Sequence, residues 1–263
     1  MAVAGCDIGS LTAKAVILNE GKIISQTVIR ANPKPSKSAE EVMQLALKGA
    51  GLSMKDISCT VGTGYGRNQI PFANSVESEI VCAVRGARKT MPSVRTIIDI
   101  GGQDAKAIRI DESGNVARYI YNDKCASGTG RFLEIVAELL NVKIADMGDI
   151  ALGSQEPVSI SNQCVIFAET EIISLVNEGK EVADIVNGLH HAMANRAASL
   201  ARSIGVEKEV VLVGGVAKNS GMLRAMGEAL GVSLQDLKID PQIIGALGAA
   251  CFAEETSKST PNG

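Results

Sequence analysis

Ile98-Asp99-Ile100-Gly101-Gly102-Gln103-Asp104-Ala105-Lys106-Ala107-Ile108 reads as a strand ending on an acid, a two-glycine turn and a returning strand. A β-run from Val94 to Ile98 leads in, and Ala107-Ile108-Arg109-Ile110 leads out. Glycines in such a turn let backbone N–H groups approach an anion closely. An acid at the strand end can hold Mg²⁺ through water, since that cation prefers oxygen ligands. Gly-Gly hairpins are common, so this stretch by itself specifies no function.

The N-terminus carries the same pattern in Asp7-Ile8-Gly9-Ser10-Leu11-Thr12-Ala13-Lys14-Ala15. Aligned on the acids, the stretches match at Asp7/Asp99, Ile8/Ile100, Gly9/Gly101, Ala13/Ala105, Lys14/Lys106 and Ala15/Ala107, 92 residues apart without a slip. An internal repeat outranks local patterns in deciding architecture. Two copies of an anion-binding hairpin imply two similar half-domains facing one phosphate chain across a cleft.

The totals exclude several classes. A formal charge of −3 gives no reason to expect nucleic acid or an anionic membrane as partner. With no Trp, three Tyr and four Phe, there is little to stack on bases. No apolar run reaches membrane-span length and no basic leader precedes an apolar core, so a cytoplasmic location is expected. The six cysteines, Cys6, Cys59, Cys82, Cys125, Cys164 and Cys251, are too scattered for a secreted disulfide framework, and none forms a Cys-x-x-Cys pair.

Along the chain, strands are expected at Val3–Asp7, Ala13–Leu18 and Ile23–Ile29, then a helix opened by a capping box at Ser38-Ala39-Glu40-Glu41. Cys59–Arg67 reads as a strand running into a Gly-rich loop, and Glu77–Lys89 as helix. Met91-Pro92-Ser93 marks a boundary. Further on, Val116–Tyr121 reads as strand, and Phe132–Leu140, Ala168–Asn177 and Asp184–Ser203 as helices, with a loop at Ile150–Ser154. Val210–Val213 is a buried-type strand ending in Gly214-Gly215, and a small-residue helix begins at Pro241-Gln242-Ile243-Ile244-Gly245. His190 and His191 are adjacent on a helix and cannot share a face, so a satisfied or exposed pair is expected rather than a metal site. Lys106 is expected to be a solvated strand residue.

The two hairpins, the Gly214-Gly215 turn and the closing small-residue helix resemble the actin, Hsp70 and sugar-kinase ATPases, a duplicated α/β, ribonuclease H-like fold. More narrowly, Ile98–Asp104, Asn122-Asp123-Lys124-Cys125 with Gly128-Thr129-Gly130-Arg131, and Cys164 with Phe167-Ala168-Glu169 resemble the activators of 2-hydroxyacyl-CoA dehydratases. The related ATPase subunits of benzoyl-CoA reductases belong to the same family. The likeness runs from Gly5 to about Ala253. It implies a first subdomain of residues 1–92 plus about 243–253 and a second of 93–242 with the cluster cysteines; the polar tail at 254–263, with Pro and Gly, is expected to fray.

The resemblance also implies a homodimer bridged by one [4Fe–4S] cluster, with Cys125 and Cys164 as ligands from each chain. ATP hydrolysis would drive one electron, received from ferredoxin or flavodoxin, into a dehydratase or reductase partner. Asp7 and Asp99 would organise Mg²⁺. Ser10, Leu11, Thr12, Ala13 and Lys14, beside Gly9, would cradle the phosphates of ATP or ADP, and Gly101, Gly102, Gln103 and Asp104 would complete the grip. One of the acids would orient the attacking water. Gly214, Gly215 and Gln242 would hold the nucleoside. A small-molecule kinase of the same fold would instead need a substrate pocket with a general base and no iron. A nucleotide-sensing module would bind ATP without hydrolysing it.

Overall fold

Near-continuous apolar runs on the first two strands demand cover on both faces of a sheet, and helices supply it. A computed structural model describes residues 1–161 and 164–259. In chain order the elements begin β1 (Ala2–Ile8), β2 (Thr12–Asn19), β3 (Lys22–Arg30), α1 (Pro35–Ala50), β4 (Ile57–Thr63), β5 (Ser75–Val76) and α2 (Glu79–Thr90). Next come β6 (Thr96–Ile100), β7 (Ala105–Ile110), β8 (Val116–Asn122), α3 (Gly130–Leu139), α4 (Met147–Leu152), α5 (Val165–Asn177) and α6 (Val182–Ile204). The chain closes with β9 (Val210–Val213), α7 (Ser220–Leu230), β10 (Leu234–Gln235) and α8 (Ile244–Ser259).

The chain divides into two compact units. The first comprises Met1–Val94, Ile110–Ala117 and the stretch from Leu237 onward; the second comprises Arg95–Arg109 and Arg118–Asp236. The repeat seen in the hairpins extends through both sheets. One has the order β3-β2-β1-β4-β5 and the other β8-β7-β6-β9-β10, the same order read in the same sense. In each, the hairpin strands are antiparallel, and the next strand lies parallel to the first: β4 beside β1, and β9 beside β6.

In the first unit, side chains two apart point the same way. Ala4, Cys6 and Ile8 of β1 and Ala13, Ala15 and Ile17 of β2 pack with Val42, Met43, Ala46 and Leu47 of α1. On the opposite face, Val3, Val16 and Leu18 meet Ala246, Leu247, Ala249 and Ala250 of α8. Ile8, Ile17 and Leu18 are at most 1% exposed, and each contributes about 1.5–3 kcal/mol by leaving water. The second unit packs Ile98, Ile100, Ala105 and Ala107 against Phe132, Leu133, Met147, Ile172, Leu189 and Met193 from the helices of that unit.

Three local expectations are corrected. Helix α1 starts at Pro35 rather than at a Ser38 capping box, because proline's fixed φ suits the first helical turn. Ser38 is instead buried and accepts a hydrogen bond from the Asn32 N–H at 2.7 Å. The expected loop at Ile150–Ser154 is largely the end of α4, whose Met147 and Ala151 reach the core. Residues 254–259 of the expected tail continue α8 to Ser259; residues 260–263 lie outside the described residues.

Candidate functional site

Each hairpin is built around an acid and a lysine facing each other across antiparallel strands. In the first unit Asp7 pairs in register with Lys14, and Gly9 N–H closes the turn on the Thr12 carbonyl at 3.0 Å. Lys14 Nζ lies 3.2 Å from Asp7 Oδ2, both side chains being mostly buried. Ser10 is exposed, and Leu11 and Thr12 are half-buried. Gln242 Nε2 donates to Thr12 Oγ1 at 3.3 Å, which ties Gln242 to the hairpin turn of its own unit.

The second hairpin repeats this frame with one change. Asp99 is in register with Lys106, and Gly101 N–H bonds the Asp104 carbonyl at 2.9 Å. Lys106 is 5% exposed rather than solvated. Its ammonium pairs with the Asp104 carboxylate and lies 3.8 Å from Asp99 Oδ2. A buried ammonium is costly without such partners, which is why a strand lysine stays inside here. Thr12 is the aligned counterpart of Asp104, so the acid and lysine side chains of the first hairpin sum to zero and those of the second to −1.

The repeat includes one element that alignment does not reveal. Asp7 lies beside Thr63 of β4, and Asp99 beside Val213 of β9. The next residue in each case is a glycine with positive φ, Gly64 at 87° and Gly214 at 85°. A side chain there would collide with the acid, since a Cβ would fall 2.3 Å from Asp7 Oδ1 and 2.6 Å from Asp99 Oδ1. Gly214 is therefore the wall of the Asp99 carboxylate. Gly64 stands to the Asp7 carboxylate as Gly214 stands to Asp99, and its signal in the sequence is a glycine just after a strand.

The turn of the second hairpin is bonded directly to the start of α3. Gly130 N–H donates to the Gly101 carbonyl at 2.9 Å, and Arg131 N–H to the Gly102 carbonyl at 2.8 Å. Cys125 lies just ahead, before the 3₁₀ turn Ala126–Gly128, and Cys164 caps α5. The two are the partly exposed and exposed cysteines; Cys6, Cys59, Cys82 and Cys251 are buried. Burial pushes the Cys82 thiol up to about 12 and raises Cys6, Cys59 and Cys251 as well. Cys125 moves the other way. The Ser127 hydroxyl, 3.0 Å from its sulfur, holds the thiol below the ordinary range against partial desolvation. The Ser127 N–H and Arg196, whose Nη2 is 3.7 Å from the sulfur, add to the lowering.

This donor set fits an iron–sulfur cluster in part. Two accessible thiols suit thiolate ligation of iron, one favoured as the anion and the other heading a helix of 13 residues. Among the described residues no three His, Cys, Asp or Glu side chains gather to hold a metal, so these alone do not supply a full ligand set. Nor does any helix among the described residues have the length and apolarity to cross a membrane. His190 and His191 do face different ways. His190 is fully buried with Nε2 3.2 Å from Asn219 Nδ2, and His191 Nε2 is 3.7 Å from Glu228.

Two sheets of identical order, each with an acid-tipped hairpin, place the chain among the two-unit α/β ATPases of the actin and sugar-kinase type. A ROK family glucokinase from Streptomyces griseus, solved with glucose and AMPPNP, shares this fold at 16% identity, with a TM-score of 0.59 over 97% of this chain and 100% of that one. Within that class, the chain belongs to the BadF/BadG/BcrA/BcrD ATPase family, which it matches over residues 4–253. It is 43% identical to the activator of lactoyl-CoA dehydratase of Anaerotignum propionicum, over 98% of this chain and 99% of that protein. The activator of 2-hydroxyisocaproyl-CoA dehydratase from Clostridium difficile, solved with bound ADPNP, superposes with a TM-score of 0.94 at 42% identity, over 98% of this chain and 96% of that one. The chain is thus an ATPase.

Proposed function

We propose that this ATPase is a one-electron activator of a 2-hydroxyacyl-CoA dehydratase or a benzoyl-CoA reductase-type partner. The observation that carries this reading is the contrast among the cysteines: four are buried, whereas Cys125 is partly exposed and Cys164 exposed, each at the residue before a helical turn. A sugar kinase of this fold has no use for such a pair. Two copies of the chain bring about four thiolates together, the number a [4Fe–4S] cluster needs, and a two-fold axis supplies them symmetrically. When bound, the cluster supplies a one-electron couple, filled by ferredoxin or flavodoxin and emptied into the partner.

The residues of the chain do the rest. Lys14 and the N–H groups of Ser10–Ala13 bind phosphate; Asp7 and Asp99 orient Mg²⁺ and its waters. Gly102, Gln103 and Asp104 complete the phosphate grip, and the Gly214-Gly215 turn and Gln242 hold the nucleoside. The hydrogen bonds from Gly130 and Arg131 to the carbonyls of Gly101 and Gly102 support a coupling role for the second hairpin. A shift of that turn with the γ-phosphate pulls on the start of α3, just past Cys125. The nucleotide biases such a change only through different affinities for the two positions of the turn.

Anaerobic purification and reconstitution test the proposal. The expected product is brown and dimeric, with about four irons per two chains. Cys125→Ala and Cys164→Ala each lose the iron and keep nucleotide binding. A wild-type protein that stays iron-free, or iron that survives Cys125→Ala, overturns it.

A further inference from the structure

We infer that Lys106 is a positioning residue for ATP hydrolysis, which holds Asp104 over the Gly101 turn and thereby makes Asp104 the acid that orients the attacking water. The inference rests on the reading of Asp104 as a catalytic residue and goes past it, because it selects among three acids and adds a residue to the machinery.

The geometry of the second hairpin carries the argument. The Asp104 carboxylate is held by an ion pair at one oxygen and packed close to the turn at the other. Oδ2 pairs with the Lys106 ammonium, and Oδ1 lies so close over Gly101 that a Cβ there would be 2.3 Å from it. Lys106 is itself locked, 5% exposed on a central strand and flanked by Asp99. Asp99 has its own wall, the Gly214 backbone at Oδ1. Two acids are thus fixed by different devices around one ammonium.

The repeat separates their tasks. Asp99 has a counterpart, Asp7, with the same cross-strand lysine and the same glycine wall. Asp104 has none, because Thr12 stands in its place and bonds Gln242. Organising a cation and its water shell is a task that two acids can share. Orienting one attacking water is done once, and Asp104 is the acid present once. In the reaction the water oxygen bonds to the γ-phosphorus as the bond from that phosphorus to the β,γ-bridging oxygen breaks. Asp104 accepts the hydrogen bond that aims the water, ADP leaves, and the water's proton ends on the phosphate product or in solvent. An unanchored carboxylate would spend most of its time in other rotamers, so loss of Lys106 acts on turnover rather than on nucleotide binding.

A double-mutant cycle on steady-state ATP hydrolysis, with ADPNP affinity measured alongside, tests this. Asp104→Asn is expected to lower kcat about 10²-fold, the lower end for a positioned acid or base. Lys106→Met should lower it by a similar factor, with ADPNP affinity changed less than about threefold. The double variant should be no slower than either single one, because residues acting as a unit are non-additive. Lys106→Arg, which keeps the cation, should recover part of the rate. Lys106→Met leaves two acids without their cation; if it does not fold, the double variant and Lys106→Arg still decide the matter. Losses that multiply, or a fall in ADPNP affinity in place of kcat, overturn the inference for Lys106. A full kcat in Asp104→Asn instead removes Asp104 from catalysis and leaves the ATPase assignment untouched.

Discussion

The two hairpins share a frame and differ in charge. Asp7–Lys14 and Asp99–Lys106 occupy the same register on the same strands of the same sheet order, and each acid leans on a positive-φ glycine. The first hairpin then places a neutral Thr12 over its turn, where the second places Asp104. A neutral turn with a lysine suits phosphate; a turn with an extra carboxylate suits a cation and its waters. On the proposed reading the shared frame is the scaffold, and the Thr12/Asp104 difference divides the labour.

The strongest way to break this comparison is to remove the shared acids. Asp99→Asn and Asp7→Asn should each lower ATP turnover about 10²–10³-fold, the cost of losing a main electrostatic stabiliser. Phosphate release measured over a range of Mg²⁺ concentrations checks it; if one variant were near normal, the acids would not be functional twins.

The second prediction contrasts the units themselves. Both histidines, and the one that is fully buried, belong to the second unit. Burial, helped by the neighbouring His191, lowers the His190 pKa from 6.5 to about 4. The unfolded chain therefore binds a proton that the folded chain refuses as pH falls below 6.5. Stability is fully present above that value, declines toward pH 4, and is then flat, with a total loss of about 3 kcal/mol. Urea unfolding at pH 7 and pH 5 should show the second unit weakening, and His190→Gln should remove this part of the pH dependence. An unchanged slope in that variant contradicts the assignment.

Two turn substitutions sharpen the contrast further. Gly101→Ala drives a methyl group into Asp104, whereas Gly9→Ala meets Lys14 Nζ and the Thr12 carbonyl at 3.1 Å, a tight contact that asks for a smaller shift. Gly101→Ala should cost turnover about tenfold or more, the scale of a misplaced catalytic group, and Gly9→Ala less. Equal losses would mean that both turns serve only as backbone. The smallest expected effect is that of Thr12→Asp, which gives the first hairpin the second one's charge. Nucleotide affinity should fall about five- to tenfold, as expected for an added like charge facing phosphate, when read by calorimetry. Unchanged affinity would argue that Thr12 and Asp104 do not set the division.

Much of this was legible in the sequence. The repeat was visible because six residues match at a fixed offset, and the strands followed from short apolar runs. Cys125 stood in a polar, Gly-rich stretch, whereas Cys164, followed by Val165-Ile166-Phe167, was singled out by the resemblance. What escaped was non-local. Lys106 looks like any polar strand residue until the fold places Asp104 and Asp99 around its ammonium. Gly64 and Gly214 are equivalent only through the β1–β4 and β6–β9 pairings, which no local pattern encodes. The start of α1 was misread because Ser38 offered a plausible cap while Pro35 set the actual entry. His190 and His191 could be assigned to different faces, but which one faced the core depended on where α7 packed.

The division of labour is tested most directly by Lys14→Met and Lys106→Met side by side, with ADPNP affinity and kcat measured on both. The account predicts that Lys14→Met loses affinity, and that Lys106→Met keeps affinity and loses turnover. The same phenotype in both, whether in affinity or in turnover, would contradict it.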